Sequence, residues 1–188
     1  MSSAGHYQPP QGSSRLVRLL TSLDAVVGLV CKTTLQVTGV TLLLAIGVGV
    51  VARYLIQVGG IDWAEELPKQ IFTWFIMAGI VMAAQTGQHI SVELLGRILP
   101  SRYQRPLLVA VNLLVAVAYV RLSMAGFEVA DITSAERNPM LGTPGSLPFY
   151  ALAIGSVLTA LASLSIAVRV WVLGHDARPV ANPEESVT

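Results

Sequence analysis

Charge and cysteine are both scarce in this chain. Only 12% of its 188 residues are charged and a single residue is a cysteine, whereas soluble domains carry roughly 25% charged residues. One cysteine excludes a disulfide scaffold, and a net charge of +1 provides no field that would recruit nucleic acid. Because 53% of the residues are hydrophobic, the chain is also too apolar to be disordered. The composition predicts a protein whose solvent is lipid over most of its length.

The motifs of catalysis and cofactor binding are absent from the sequence as well. It has no G-x4-G-K-[ST] phosphate loop, and of its three histidines only His89 approaches an apolar run, so a bis-His haem site is not expected. The run Gly47-x-Gly49-x-x-Ala52 matches a dinucleotide fingerprint superficially. It lies inside an apolar run with no strand before it, and we interpret it as a helix-packing motif. We therefore expect no enzyme activity, no cofactor and no metal.

Four apolar runs are long enough to cross a bilayer, since about 20 helical residues span its hydrocarbon core. We predict an all-α integral membrane protein with transmembrane helices at residues 35–56, 69–88, 106–128 and 148–171. Residues 1–14 are polar and rich in Gly, Pro and Ser, and residues 173–188 are interpreted in the same way, so we expect a disordered N-terminal tail and a flexible C-terminal tail. The four-helix membrane domain then comprises residues 15–172.

Two amphipathic segments flank these predicted spans. The segment Ser14–Leu35 mixes apolar and charged residues, so it could lie at the membrane interface or extend the first span as a cytoplasmic helix. After the second span, Ile90–Leu99 predicts an interfacial helix that ends at Pro100. His89 would then lie at the cytoplasmic interface, either orienting the turn by hydrogen bonding or simply solvated.

The basic residues predict the orientation of the spans, because cytoplasmic loops carry an excess of Lys and Arg. Eight basic residues belong to the side of the two termini and three to the opposite side. Both termini are therefore expected in the cytoplasm. Arg121 is the one charge inside a predicted span, about 23 Å along the helix from Pro106. That position is close to the outer interface, where Arg121 could snorkel or pair with Glu128.

Small residues recur at four-residue spacing along the second and fourth spans. Such stripes let helices approach each other closely. They could serve packing within this bundle or docking onto a second membrane subunit, and the pattern does not decide between the two. The candidate residues are Gly79, Ala83 and Gly87 in the second span and Gly155, Thr159 and Ser163 in the fourth.

A charged corner is predicted where the first span ends and the second begins. Arg53 ends the first span, and Glu65 and Glu66 precede the second, where negative charge suits a helix N-terminus. Adjacent helical residues point about 100° apart, so only one glutamate can face Arg53. We predict that this is Glu66, with Glu65 facing the loop or a partner and Trp63 setting the depth of the corner. The alternative is that these are solvated loop charges.

An ordered set of short motifs runs through the chain. It comprises Arg53-Tyr54, Trp63-x-Glu65-Glu66-Leu67, Phe72-x-Trp74-Phe75, Gly79, Gly87-x-His89-Ile90-x-Val92, Leu99-Pro100 and Leu141-Gly142-Thr143-Pro144. With four spans at this length, the set resembles the small membrane subunit of tripartite ATP-independent periplasmic (TRAP) transporters, the DctQ-like family. The likeness covers about residues 16–172.

This resemblance implies a role and a set of partners. A small permease subunit of the bacterial cell inner membrane would act as a scaffold for a large membrane subunit during Na⁺-driven uptake of a carboxylate-bearing solute. A periplasmic substrate-binding protein would deliver that solute, and the resemblance assigns no residue of this chain as a ligand of it. The implied partners are the large subunit, the binding protein and the lipid bilayer, but no nucleic acid. The alternatives are a membrane anchor of a redox enzyme complex and a small homo-oligomeric exporter.

Overall fold

The structure is a computed structural model that describes residues 14–55, 62–85 and 101–173. Those ranges contain four helices, α1 (Ser14–Leu55), α2 (Asp62–Gln85), α3 (Ser101–Thr133) and α4 (Leu147–Leu173). Each helix includes a stretch long and apolar enough to span a membrane, namely Ser22–Tyr54, Trp63–Gln85, Pro106–Thr133 and Leu147–Trp171. The predicted all-helical fold with four spans is confirmed. Several helices extend beyond the predicted spans, because a charged residue that ends an apolar run can still continue the backbone hydrogen bonding of a helix.

The first helix is unbroken over its 42 residues. The segment Ser14–Leu35 is thus a helical continuation of the first span, in agreement with the second of the two predicted alternatives. At 1.5 Å per residue the helix is about 63 Å long, roughly twice the thickness of a bilayer core. Part of α1 must therefore lie beyond the core, or the helix must tilt strongly.

The helices form an open row in the order α1, α2, α4, α3. Helix α4 packs against both α2 and α3, whereas α1 packs mainly against α2 and only weakly against α4. As a result 61% of an 18-residue apolar stretch of α4 is buried, compared with 17–22% of the equivalent stretches in the other three helices. Helix α4 is the centre of the row, and α1 and α3 are its edges.

Close approaches between helices set their directions. A Cβ atom on Gly28 would lie 3.1 Å from Gln85 Oε1, and one on Gly49 would lie 3.6 Å from the Ala64 Cβ atom, so α1 and α2 are antiparallel. Helix α3 is likewise antiparallel to α4. We call the end that carries residues 134–146 the loop end, and the end that carries Gln85 the terminal end.

Small side chains fill the helix interfaces. Most buried apolar residues are alanines, and Val81 and Val170 are the largest side chains that are almost fully buried in the described ranges. Around Val81, the buried Cys31 and Ala78 form one apolar cluster between α1 and α2. Small residues suit helices in lipid, where association depends on close van der Waals packing.

Candidate functional site

Residues 134–146 join α3 to α4 at the loop end and form a tightly bonded turn. Arg137 and Pro144 face each other in an antiparallel bridge. The Asn138 N–H donates to the Thr143 carbonyl at 2.9 Å, and the Gly142 N–H donates to the Asn138 carbonyl at 2.8 Å. Gly142 has φ of 65°, a left-handed conformation that glycine adopts without steric cost. The turn therefore presents a defined surface at this end of the row.

The Asn138 side chain attaches this turn to α2. Its Oδ1 atom accepts hydrogen bonds from the N–H groups of Met140 at 2.9 Å and Leu141 at 3.1 Å. The Nδ2 group is left to donate to Glu66 Oε2 at 3.0 Å. One amide group thus shapes the turn and also joins it to the first turns of α2.

Glu66 uses its other carboxylate oxygen to bind Lys69. The Lys69 Nζ atom lies 2.6 Å from Glu66 Oε1, one helical turn away. Since both oxygens of Glu66 are engaged by Lys69 and Asn138, the predicted pairing of Glu66 with Arg53 is wrong. The i,i+3 spacing of Glu66 and Lys69 favours pairing within one helix and was the signal present in the sequence.

Glu65 is the glutamate that shares a surface with Arg53. Both residues line a pocket of about 240 Å³ between α1 and α2 whose other lining residues are Ile46, Gly49, Val50, Ala64 and Pro68. Trp63 is 44% exposed at the start of α2, and its role in setting the depth of the corner remains a prediction. The pocket offers one cation and one anion over an apolar floor. Such an arrangement suits a structural contact.

A second polar cluster lies at the terminal end and was not predicted. The Asp24 carboxylate of α1 accepts hydrogen bonds from Arg169 and, at 2.9 Å, from the Ser165 hydroxyl of α4. Gln85 Nε2 of α2 donates to the main-chain carbonyl of Asp24 at 3.0 Å. Three helices therefore meet at Asp24. In the sequence, Asp24 and Arg169 are opposite charges near the ends of two apolar stretches. They are 145 positions apart, so no local pattern predicts their contact.

The small-residue stripe of α4 is used for packing within the chain. A Cβ atom on Gly155 would lie only 2.6 Å from the Met77 Cβ atom of α2. Thr159 is 1% exposed and Ser163 is 1% exposed, and the Thr159 hydroxyl donates to the Gly155 carbonyl at 2.8 Å. Of the two uses predicted for this stripe, self-packing is the one that the structure displays.

The stripe of α2 is only partly described. Gly79 faces α1, where its added Cβ atom would lie 3.6 Å from Leu35 Cδ1, whereas Ala83 is exposed. Gly87 and His89 lie outside the described residues, as does the predicted interfacial helix Ile90–Leu99.

Arg121 does not have the surroundings predicted for it. It is exposed and forms no ion pair or hydrogen bond with any residue that the structure describes, Glu128 included. The spanning stretch of α3 runs from Pro106 to Thr133, five residues beyond the predicted end at 128. The predicted pairing of Arg121 with Glu128 is not formed, and the position of Arg121 close to the outer interface stays a prediction.

The chain is similar to known proteins over most of its length. The family profile described as "Tripartite ATP-independent periplasmic transporters, DctQ component" matches residues 42–173. This range contains α2, α3 and α4 and the last part of α1.

Several relatives are similar to the chain over part of their length. The uncharacterized protein y4mM of Sinorhizobium fredii is 40% identical over 141 residues, which are 75% of this chain and 26% of that protein. A putative TRAP transporter small permease protein of Haemophilus influenzae is 26% identical over 57% of this chain and 64% of its own length. The sialic acid TRAP transporter small permease protein SiaQ of Vibrio cholerae is 22% identical over 54% of this chain and 59% of its own. The matched region thus spans about a quarter of the first relative and less than two thirds of the other two.

Proposed function

The chain belongs to the DctQ component family of tripartite ATP-independent periplasmic transporters, and from that premise we propose that it acts as a fixed scaffold for a large membrane subunit. It is a multi-pass membrane protein and a small permease subunit by family. Its membrane is, in this proposal, the bacterial inner membrane. The family match over 42–173 is the observation that carries the proposal.

The continuity of the helices supports a role as a scaffold rather than a role as the transport path. Each span is a single uninterrupted helix within the described ranges. Secondary transporters typically build their substrate and ion sites from broken helices near the middle of the membrane. A row of unbroken helices held by close packing offers rigidity, which a fixed support for a moving partner requires.

The transported solute and its driving force belong to the same proposal. The large subunit would move a carboxylate-bearing solute with Na⁺, after a periplasmic binding protein delivers it at the loop end. The Vibrio cholerae relative is named for sialic acid, a sugar acid, and this supports the class of solute without identifying it. The bonded turn at residues 134–146 gives the loop end a surface on which a soluble protein could dock.

Reconstitution tests the proposed function directly. A tagged form of this chain is co-expressed with a large TRAP permease subunit and purified, and the complex is placed in liposomes with the binding protein outside. We expect the large subunit to copurify, and uptake to require all three proteins and an inward Na⁺ gradient. The control omits this chain alone.

Two results would contradict the proposal. Solute movement by this chain as a homo-oligomer, without the large subunit, would favour the exporter. A haem absorption band in the purified protein would favour the redox anchor.

A further inference from the structure

The pocket between α1 and α2 holds two opposite charges that are not in contact with each other. Arg53 and Glu65 both line this space of about 240 Å³, yet within the described ranges neither forms an ion pair or a hydrogen bond. Lys69, one turn after Glu65, acts on it only through space, because the Lys69 Nζ atom is bound to Glu66 at 2.6 Å. The pocket therefore presents one cation and one anion to a third group.

The two charges converge on one level although their helices run in opposite directions. Gly49 is level with Ala64, since a Cβ atom on Gly49 would lie 3.6 Å from the Ala64 Cβ atom. The Arg53 backbone is about 6 Å from this level toward the loop end, and the Glu65 backbone is about 1.5 Å from it in the other direction. Helical side chains tilt toward the N-terminus of their own helix. Arg53 and Glu65 thus tilt toward each other from opposite sides of the pocket.

This corner lies at the level where the apolar part of the bilayer ends. The spanning stretch of α1 ends at Tyr54 and that of α2 begins at Trp63, and these side chains are 76% and 44% exposed. Exposed Tyr and Trp at the ends of spans are typical of the headgroup level. No charge occurs between Lys32 and Arg53 in the sequence. The pocket therefore has hydrocarbon on its inner side and lipid headgroups on its outer side.

Inward from the charges, the same face of α1 is apolar. Ile46 and Val50 line the pocket and are 55% and 50% exposed. Leu43, 75% exposed, lies on the same side of the helix farther from the loop end. From Arg53 to Leu43 this face runs for about 15 Å. An acyl chain joined to a headgroup in the pocket would follow it, so the site combines polar recognition with apolar length.

We propose that the pocket binds a phospholipid of the phosphatidylethanolamine class, with its phosphate on Arg53 and its ammonium group on Glu65. Arginine holds phosphate through paired N–H donors, and an ammonium group donates charge-assisted hydrogen bonds to a carboxylate. An anionic headgroup would place a second negative charge beside Glu65, which is unfavourable, and a choline headgroup has no N–H group to donate. Charge complementarity thus identifies the occupant, because this headgroup carries both charges on one apolar molecule. Lipid binding at the pocket does not depend on the proposed function.

Titration of the purified full chain with lipids, followed by native mass spectrometry, tests the choice of headgroup. Phosphatidylethanolamine, phosphatidylcholine and phosphatidylglycerol with identical acyl chains are each added to the protein in detergent. We expect phosphatidylethanolamine to bind about tenfold more tightly than the other two, which is the effect of one hydrogen bond to a charged group. Equal affinity for the three lipids would overturn the inference.

Two neutralising substitutions separate the roles of the charged residues. Glu65→Gln should keep the phosphate contact but lose the preference for phosphatidylethanolamine over phosphatidylglycerol. Arg53→Gln should weaken the binding of all three lipids about tenfold. The matched controls are Arg121→Gln and Glu128→Gln, at exposed positions of α3, and both should behave as wild type. An unchanged preference in Glu65→Gln, or the same losses in the controls, contradicts the assignment.

A steric substitution tests the pocket without altering its charges. Val50→Trp places a large side chain in the pocket and should abolish the preference for phosphatidylethanolamine. Val51→Trp is the matched control, because Val51 is 55% exposed on the same helix and does not line the pocket. The control should retain the preference. Wild-type preference in both variants would show that the lipid binds elsewhere.

A photocrosslinking residue placed at Ile46 identifies the occupant in intact membranes. We expect a crosslink to phospholipid, and less of it when Arg53→Gln is added. A crosslink to another membrane protein or to a second copy of this chain, in place of lipid, would mean that the pocket is a protein interface and would overturn the inference.

Discussion

At the scale of single residues, the Asn138 side chain makes three hydrogen bonds at the loop end. Its side chain accepts two main-chain hydrogen bonds within the turn and donates to Glu66. We expect Asn138→Ala to destabilise the protein by about 1–2 kcal/mol, since the turn loses these bonds. Asn138→Asp should be at least as harmful, because it sets a carboxylate against Glu66. Thermal unfolding in detergent measures both variants, and Met140→Ala, at an exposed position of the same turn, is the control that should be silent.

Because Glu66 contacts Lys69 and Asn138, charge reversal at Arg53 has a different expected outcome. Arg53→Glu should weaken the α1–α2 corner by at most about 1 kcal/mol, as for an exposed pair. Adding Glu65→Arg should restore part of the loss, because Glu65 shares the pocket with Arg53. Adding Glu66→Arg should lower stability further, since it breaks the contacts with Lys69 and Asn138. Better rescue by Glu66→Arg in the same unfolding assay would contradict this arrangement.

At the scale of helices, the contact of α2 with α4 depends on one missing side chain. Gly155→Ala would place a Cβ atom 2.6 Å from that of Met77, and overpacking of this kind costs about 1–3 kcal/mol. Gly47→Ala is the matched control: nothing lies within 4 Å of its added Cβ atom, and replacing a helical glycine should stabilise by about 0.5–1 kcal/mol. Opposite shifts of the unfolding temperature are expected, and a silent Gly155→Ala would show that the two helices can separate at no cost.

The attachment of α1 to α4 depends on the pair Asp24 and Arg169. Both side chains are partly shielded, with 28% and 15% exposure. Asp24→Asn and Arg169→Gln should each cost about 1–3 kcal/mol, because each leaves one charge without its partner. The double variant should lose less than the sum of the single losses, and Lys32→Gln on the exposed side of α1 should be neutral. Additive losses in chemical denaturation would mean that the two charges do not interact.

At the scale of the whole molecule, the orientation in the membrane remains a prediction of charge distribution. Basic residues favour the terminal end on the cytoplasmic side. A topology reporter fused after Thr188 should then report the cytoplasm, and one inserted at Gly60 should report the periplasm. Periplasmic activity of the C-terminal fusion would reverse the orientation and place the turn at residues 134–146 in the cytoplasm. A periplasmic binding protein could not then reach the loop end.

The sequence by itself was sufficient for the class of fold. Long apolar runs separated by charges predict membrane helices, because burying charge in hydrocarbon is unfavourable whatever the neighbouring helices do. The same reasoning placed Arg53, Glu65 and Glu66 at one corner, but it chose Glu66 to face Arg53, whereas Glu65 shares the pocket with Arg53. It placed helix ends less well, as in α3, since backbone hydrogen bonding carries a helix past the end of an apolar run.

Only the tertiary structure decided which side chains meet. Pairing of Asp24 with Arg169 and of Glu66 with Asn138 joins residues that are 145 and 72 positions apart, and no local pattern contains such a separation. The row order α1, α2, α4, α3 likewise assigns the α4 stripe to internal packing and leaves Arg121 on an outer edge. A hydropathy pattern records the free energy of each residue in lipid, whereas the neighbours of a residue depend on how whole helices pack.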